Sequence, residues 1–212
     1  MKLALLSDIH GNLPSLEIAV KELKKKKIDA YFFLGDSVNY GPWSNECVEF
    51  IENLENSYKI LGNHEDYFIK KKCDSTNHLA NTFFDFCIKD FTKVNIIKKY
   101  KKKINFEKIN FIHTIENKYI FPETNITIDA HSVFGHSHFQ FKKKIKDYWL
   151  INPGSVGQNR KSINTLQFGI LDTKTLKVDF FSKIYDTKIL VQKMISKKYP
   201  KKCIDYYINK IT

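Results

Sequence analysis

Residues 3–12, Leu3-Ala4-Leu5-Leu6-Ser7-Asp8-Ile9-His10-Gly11-Asn12, decide the fold. The short apolar run from Leu3 to Leu6 ends at Ser7-Asp8, which predicts a buried strand. Pro14 suits the first turn of a helix, where its missing N–H costs nothing. Leu16, Ala19, Val20 and Leu23 follow at helical spacing, and Lys24 to Lys27 complement the negative C-terminal end. The chain therefore opens as strand, loop, helix, with Asp8 and His10 on the loop.

The same unit repeats. Ala30 to Leu34 reads as a second strand ending at Gly35-Asp36, Asn45 to Leu54 as a helix with Val48, Ile51 and Leu54 on one face, and Tyr58 to Leu61 as a third strand ending at Gly62-Asn63. Each acid or amide falls just past a strand's C-terminal end, where open α/β sheets place their ligands. Helices are expected at Asn77 to Asp90 and Thr92 to Tyr100. Strands are expected at Ile109 to His113, Ser132 to Phe134, Phe139 to Lys146, Trp149 to Ile151, Leu166 to Leu171 and Val178 to Ile184. The tail from Thr187 to Ile211 reads as helical, broken at Pro200. The expected architecture is α/β (α+β): two mixed β-sheets packed face to face with helices outside, a four-layer αββα sandwich. One domain spans 1–212, with a helical insertion at about 75–100 and a helical tail at about 187–212.

Chemistry concentrates in five stretches: 7–12, Gly35-Asp36, Gly62-Asn63-His64-Glu65, Phe111-Ile112-His113 and Gly135-His136-Ser137-His138. Asp8 and His10, two apart on one loop, can converge on one ion. Asp36 adds a carboxylate, Asn63 a neutral oxygen, and His113, His136 and His138 imidazoles. Oxygen and nitrogen donors without thiolate suit Mn, Fe, Zn or Ni. Glycines in these stretches allow tight turns and close approach of ions or phosphate. Asp8 and Asp36 as plain turn residues is the competing reading. His78 and His131 lie outside the motifs and read as surface or core residues.

The order Asp-x-His, Gly-Asp, Gly-Asn-His-Glu, His, Gly-His-x-His resembles the calcineurin-like metallophosphoesterase superfamily, in its small bacterial and archaeal phosphodiesterase branch. Ser7 to Glu17, Tyr40 to Glu46 and Asn152 to Arg160 support the likeness, which covers roughly positions 1–190. The resemblance implies two divalent metal ions, with Mn favoured. Asp8, His10 and His138 would bind the first, Asn63, His113 and His136 the second, and Asp36 would bridge them. It implies that a hydroxide held between the ions attacks phosphorus in line, the metals also neutralising charge on the phosphate. Asn63 and His64 would contact substrate, and His64 would be the catalytic acid for the leaving alkoxide. Glu65 would orient His64 or cap the following helix.

Protein phosphatases of this superfamily extend the second motif with Asp-Arg-Gly, whereas here it reads Gly35-Asp36-Ser37-Val38-Asn39-Tyr40-Gly41. The missing Arg removes a clamp for a dianionic phosphate and favours diesters. The short segment between His113 and His136 predicts an open cleft. Two other functions stay open: a non-catalytic scaffold, as in the retromer's phosphoesterase-like subunit, and a nuclease.

The nuclease reading comes from charge. The chain is +12, and of its 35 basic residues Arg160 alone is arginine. A basic surface attracts anionic substrates, nucleic acid among them, although Lys runs more often form solvated faces. Arg160, retained among lysines, is expected to fix the 152–160 loop or touch substrate through planar hydrogen bonding. The turn Asn152-Pro153-Gly154-Ser155 is either a phosphate contact or a plain turn, and Tyr40 and Trp43 either line the cleft or act as buried caps. Cys47, Cys73, Cys87 and Cys203 form no C-x-x-C pair, which points to reduced thiols in a cytoplasm. No apolar run is long enough to span a bilayer, and Met1 to Ser7 reads as a strand rather than a secretory signal. A small-molecule phosphodiester is the expected partner, with no membrane. The tail either packs on a sheet or joins two copies as a homodimer.

Overall fold

Alternating apolar side chains in short strands bury two faces at once, and this organises residues 1–211, which the computed structural model describes. The opening units form as expected: β1 (Lys2–Leu6), α1 (Leu13–Lys24), β2 (Ala30–Phe33), α2 (Ser44–Glu52) and β3 (Ser57–Lys59). α3 (Asn63–Lys70) starts directly at the third motif. α4 (His78–Cys87), a 3-10 turn at Ile88–Asp90 and the single-turn α5 (Val94–Ile97) follow. The second half supplies β4 (Lys103–Phe106), β5 (Ile109–Ile112), β6 (His131–Val133), β7 (Gln140–Ile145), β8 (Tyr148–Pro153), β9 (Thr165–Asp172) and β10 (Val178–Ile184). The chain closes with α6 (Lys188–Ser196) and α7 (Lys201–Ile208), separated at Pro200.

The strands make two five-stranded sheets, in the orders β10-β9-β1-β2-β3 and β4-β5-β6-β8-β7. Both are mixed. β1, β2 and β3 run parallel, as do β5, β6 and β8, while β9, β10, β4 and β7 pair antiparallel. The inner faces meet through Leu3, Leu5, Phe32, Phe111, Val133 and Ile151, all fully buried. Phe32 from one sheet stacks on Phe111 from the other at 3.9 Å between centroids. Each such side chain contributes about 1.5–3 kcal/mol of burial.

Ala4 and Leu6 alternate to the opposite face, where α1 and α2 cover them with Leu16, Ala19, Val20, Leu23, Cys47 and Ile51. Asn12 begins α1: its Oδ1 accepts from Ser15 N, and its Nδ2 donates to Gly157 O and Tyr185 Oη. The tail packs on the insertion, with Leu190, Met194, Cys203 and Tyr207 against Phe83 and Phe84. The outer face of the second sheet, Phe134, Phe141 and Leu150, is covered by Ile120 and Ile128 from the irregular 113–130 segment rather than by a helix. No helix of the described residues is long and apolar enough to cross a membrane.

A candidate dinuclear metal centre

The parallel sets matter because they aim six strand ends at one edge of the sandwich. β1, β2 and β3 deliver Asp8 and His10, Asp36, and Asn63. β5, β6 and β8 deliver His113, His136 and His138, and the 154–158 loop. The loops are joined backbone to backbone: Asp8 N donates to Gly35 O, His10 N to Asp36 O, Gly135 N to His113 O, and Gly157 N to Asp8 O. Asp8, His10, Asp36, His136 and His138 all have positive φ, between 50° and 68°. A non-glycine residue is uncommon there, and such strain clusters at functional sites. Gly35, at φ 93°, cannot be replaced cheaply: a Cβ would come within 2.7 Å of His113 Nδ1 and of Gly62 Cα.

Three overlapping donor groups result: Asp8–His10–His138 and Asp36–His113–His136 at the two ends, and His10–Asp36–His64 between them, all buried or nearly so. His10 Nδ1 lies 3.3 Å from Val38 O, His113 Nδ1 2.7 Å from Leu34 O, and His138 Nδ1 2.5 Å from Gln158 O. Each Nδ1–H donates to its carbonyl and turns Nε2 toward the centre. His10 Nε2 and His138 Nε2 consequently face each other at 3.2 Å as two acceptors. Asp36 Oδ2 lies 3.1 Å from His113 Nε2 and 3.9 Å from His10 Nε2. Asn63 Oδ1 is 3.0 Å from His113 Nε2, and Asp8 Oδ1 is 3.5 Å from His138 Nε2. Lone pairs crowded in this way repel unless cations or protons stand between them, so the donor set fits divalent metal ions.

The electrostatics agree. Burial pushes Asp8 up to about 7, against the opposing pull of His113. Burial, reinforced by neighbouring imidazoles, drives His10 well below its usual value and His136 down to about 3. Burial and the Arg160 charge do the same for His138. Burial also opposes charge on His113, but the Asp36 carboxylate more than reverses this and pushes it up to about 10. Burial would raise Asp36 as well, yet His113 and His64 outweigh it and hold that carboxyl well below the carboxylate range.

His64 sits at the N-terminus of α3 with Nε2 3.9 Å from Asp36 Oδ2, while Nδ1 meets the Asn39 amide at 2.9 Å. Burial lowers its pKa, against the opposing pull of the Asp36 carboxylate. Glu65 does not touch it. The Glu65 carboxylate accepts from Gly62 N, Asp36 N, Ser37 N and Ser37 Oγ, capping α3 and pinning the Asp36 turn. The 152–155 turn is also occupied with positioning. Asn152 Nδ2 donates to Gly135 O and Ser137 Oγ, and Ser155 Oγ donates to Asp8 O. Arg160 is exposed beside the cleft, its guanidinium carbon 5.0 Å from the Tyr119 ring centre. Tyr40 lines the cleft edge-on to His10, whereas Trp43 packs into the helical layer. His78 is exposed, and His131 Nδ1 accepts from Trp149 N.

Sequence reasoning missed Asn39, Tyr119 and the Gln158 carbonyl. Asn39 had one signal, its place three residues past Asp36. Tyr119, which lies flat on His136 at 4.2 Å, had none.

A family model described as the calcineurin-like phosphoesterase superfamily domain matches residues 1–176. An uncharacterized protein of Methanocaldococcus jannaschii is 32% identical over 229 aligned residues, covering 93% of each chain. Phosphodiesterase YfcE of Escherichia coli is 27% identical, over 84% of this chain and 91% of its own. The crystal structure of a metallophosphoesterase from Sphaerobacter thermophilus superposes with a TM-score of 0.78 at 20% identity, covering 100% of this chain and 99% of that one, which shows a shared fold. Match and geometry lead to one conclusion: the chain belongs to the calcineurin-like phosphoesterase superfamily, a family of metal-dependent phosphoesterases.

Proposed function

We propose that this protein is a phosphodiesterase acting on small-molecule diesters with two divalent cations, manganese favoured. The observation that carries the reading is the position of Asp36, whose Oδ2 is within 3.9 Å of His10 Nε2 on one side and of His113 Nε2 on the other. In the proposed assignment Asp8, His10 and His138 hold one ion, Asn63, His113 and His136 hold the other, and Asp36 is shared. Bound there, the cations supply an acidified water and a positive field for the phosphoryl oxygens.

The chain's own residues do the rest. The carbonyls of Val38, Leu34 and Gln158 fix the imidazole tautomers. Asn63 and His64 stand at the cleft floor where a phosphate oxygen would lie. His64, held through Nδ1 by Asn39, presents Nε2 to the leaving oxygen and serves as its proton donor. No arginine follows Asp36, and Asn39 and Tyr40 occupy that stretch instead, which supports diesters over dianionic monoesters. With added Mn(II), bis-p-nitrophenyl phosphate should be cleaved faster than p-nitrophenyl phosphate. Cleavage of the monoester alone, or of neither, contradicts the proposal.

A further inference from the structure

Among the described residues four strands lie at sheet edges, β10 and β3 in the first sheet, β4 and β7 in the second. An open edge offers unpaired backbone groups to any other strand, and proteins keep such edges short, charged or broken. β3 has three residues and β4 four, and β7 carries Lys142, Lys143 and Lys144 in succession. β10 lacks these defences. It runs for seven residues, Val178-Asp179-Phe180-Phe181-Ser182-Lys183-Ile184, pairs with β9 without a bulge and holds no proline. Phe180 is 37% exposed and Ile184 77%.

The ladder fixes which groups of β10 are free. Asp172 N donates to Lys177 O at one end and Tyr185 N to Asn164 O at the other, both at 2.9 Å. Hydrogen-bonded pairs alternate along an antiparallel ladder, so Lys177, Asp179, Phe181, Lys183 and Tyr185 bond inward to β9. The N–H and C=O groups of Val178, Phe180, Ser182 and Ile184 point outward, with no partner among the described residues. The strand is already held in place: Gln140 Nε2, from the second sheet, donates to Phe181 O and Phe168 O at 3.2 Å. A partner strand therefore meets a preorganised edge.

β10 is also complementary to itself. Laid antiparallel on a second copy about a two-fold axis at Phe181, Val178 faces Ile184, Asp179 faces Lys183 and Phe180 faces Ser182, each pair occurring twice. Outward-pointing residues then meet outward-pointing residues, as the hydrogen bonds require. A slip of two residues one way sets Lys183 against Lys177, and the other way sets Asp179 against Tyr185. A slip of one residue sets outward groups against inward ones. Within one chain the two charges have only solvated partners, Asp179 at 3.1 Å from Lys177 and Lys183 at 2.8 Å from Glu22, and such pairs hold little.

We propose that β10 pairs with β10 of a second copy, joining the two first sheets into one continuous sheet and making the protein a two-fold dimer. The occupant is this chain, because its own strand answers both charges in a single register. Pairing consumes the β10 edge of each copy, so assembly stops at two. The inference is independent of the catalytic reading.

Sedimentation velocity at micromolar concentration in physiological salt should give twice the 25.0 kDa of one chain. Asp179→Lys sets like charges opposite each other twice and should weaken the dimer at least about tenfold, as should Lys183→Glu. An equimolar mixture of these two variants sets lysine against acid in both pairs and should recover the dimer, which folding damage cannot produce. Ser182→Pro removes an outward N–H that β9 does not use and should also dissociate the pair, with the circular dichroism spectrum unchanged. A monomeric wild type, a mass that keeps growing with concentration, or a dimer that both charge variants leave intact would overturn the proposal. So would a mixture of the charge variants that stays monomeric.

Discussion

Asp36 and His113 form the tightest charged contact of the centre, Oδ2 to Nε2 at 3.1 Å, and both are buried. With no cation present, a proton on His113 serves that carboxylate, which is why burial fails to keep the imidazole neutral and its pKa reaches about 10. Metal must displace this proton. Metal titration by calorimetry at pH 7, in buffers of different ionisation enthalpy, should show release of about one proton or more per chain. A heat independent of the buffer would contradict this.

The same proton links stability to pH. His113 has its pKa raised from 6.5 to about 10, so the folded metal-free protein keeps a proton that the unfolded chain loses above about 6.5. The stabilisation is complete below pH 6.5 and fades as pH rises toward 10. The difference in melting temperature between metal-free wild type and His113→Asn should therefore shrink across that window. A difference that grows with pH would reverse the sign and defeat the assignment.

Glu65 is fully buried and accepts from four donors. Glu65→Ala leaves those donors without a partner and should cost about 3 kcal/mol, a fall in melting temperature of roughly 6–12 °C. Differential scanning calorimetry checks it, and a shift under about 2 °C would mean that the Asp36 turn holds itself.

How much of this the sequence disclosed follows from where each interaction is encoded. Asp8, His10, Asp36, Asn63, His113, His136 and His138 were legible because each sits past a strand's C-terminal end, most of them beside a glycine. The opening β1-α1-β2-α2-β3 was equally plain from periodicity. The tail folds as two helices on the insertion, with Pro200 at the break. Backbone carbonyls that orient the imidazoles belong to no residue type, so Val38, Leu34 and Gln158 could not be read as partners. Helix α5 is one turn instead of the expected Thr92 to Tyr100, where β-branched Val94, Ile96 and Ile97 weaken a helix and no side-chain cap forms. β4 was missed because its alternation, Lys103-Ile104-Asn105-Phe106, is hidden by the preceding lysines. Glu65 was assigned to the helix or to His64, but its main partners lie 28 and 29 residues earlier, beyond any local pattern.

His64→Ala should lower kcat by about a hundredfold to ten-thousandfold on esters with alkyl leaving groups. The loss should be much smaller on p-nitrophenyl esters, whose leaving group needs no proton. A series of diesters with leaving groups of graded pKa reads this as a steeper dependence in the variant. Equal losses across the series would remove the proton-donor role.

The proposed sharing of Asp36 between two ions is tested most directly by counting metal. Wild-type protein dialysed to equilibrium with Mn(II) should retain two ions per chain, and Asp36→Asn should lose at least one together with diester cleavage. One ion or none in the active wild type, or full occupancy and activity in Asp36→Asn, would contradict a dinuclear centre built around that carboxylate.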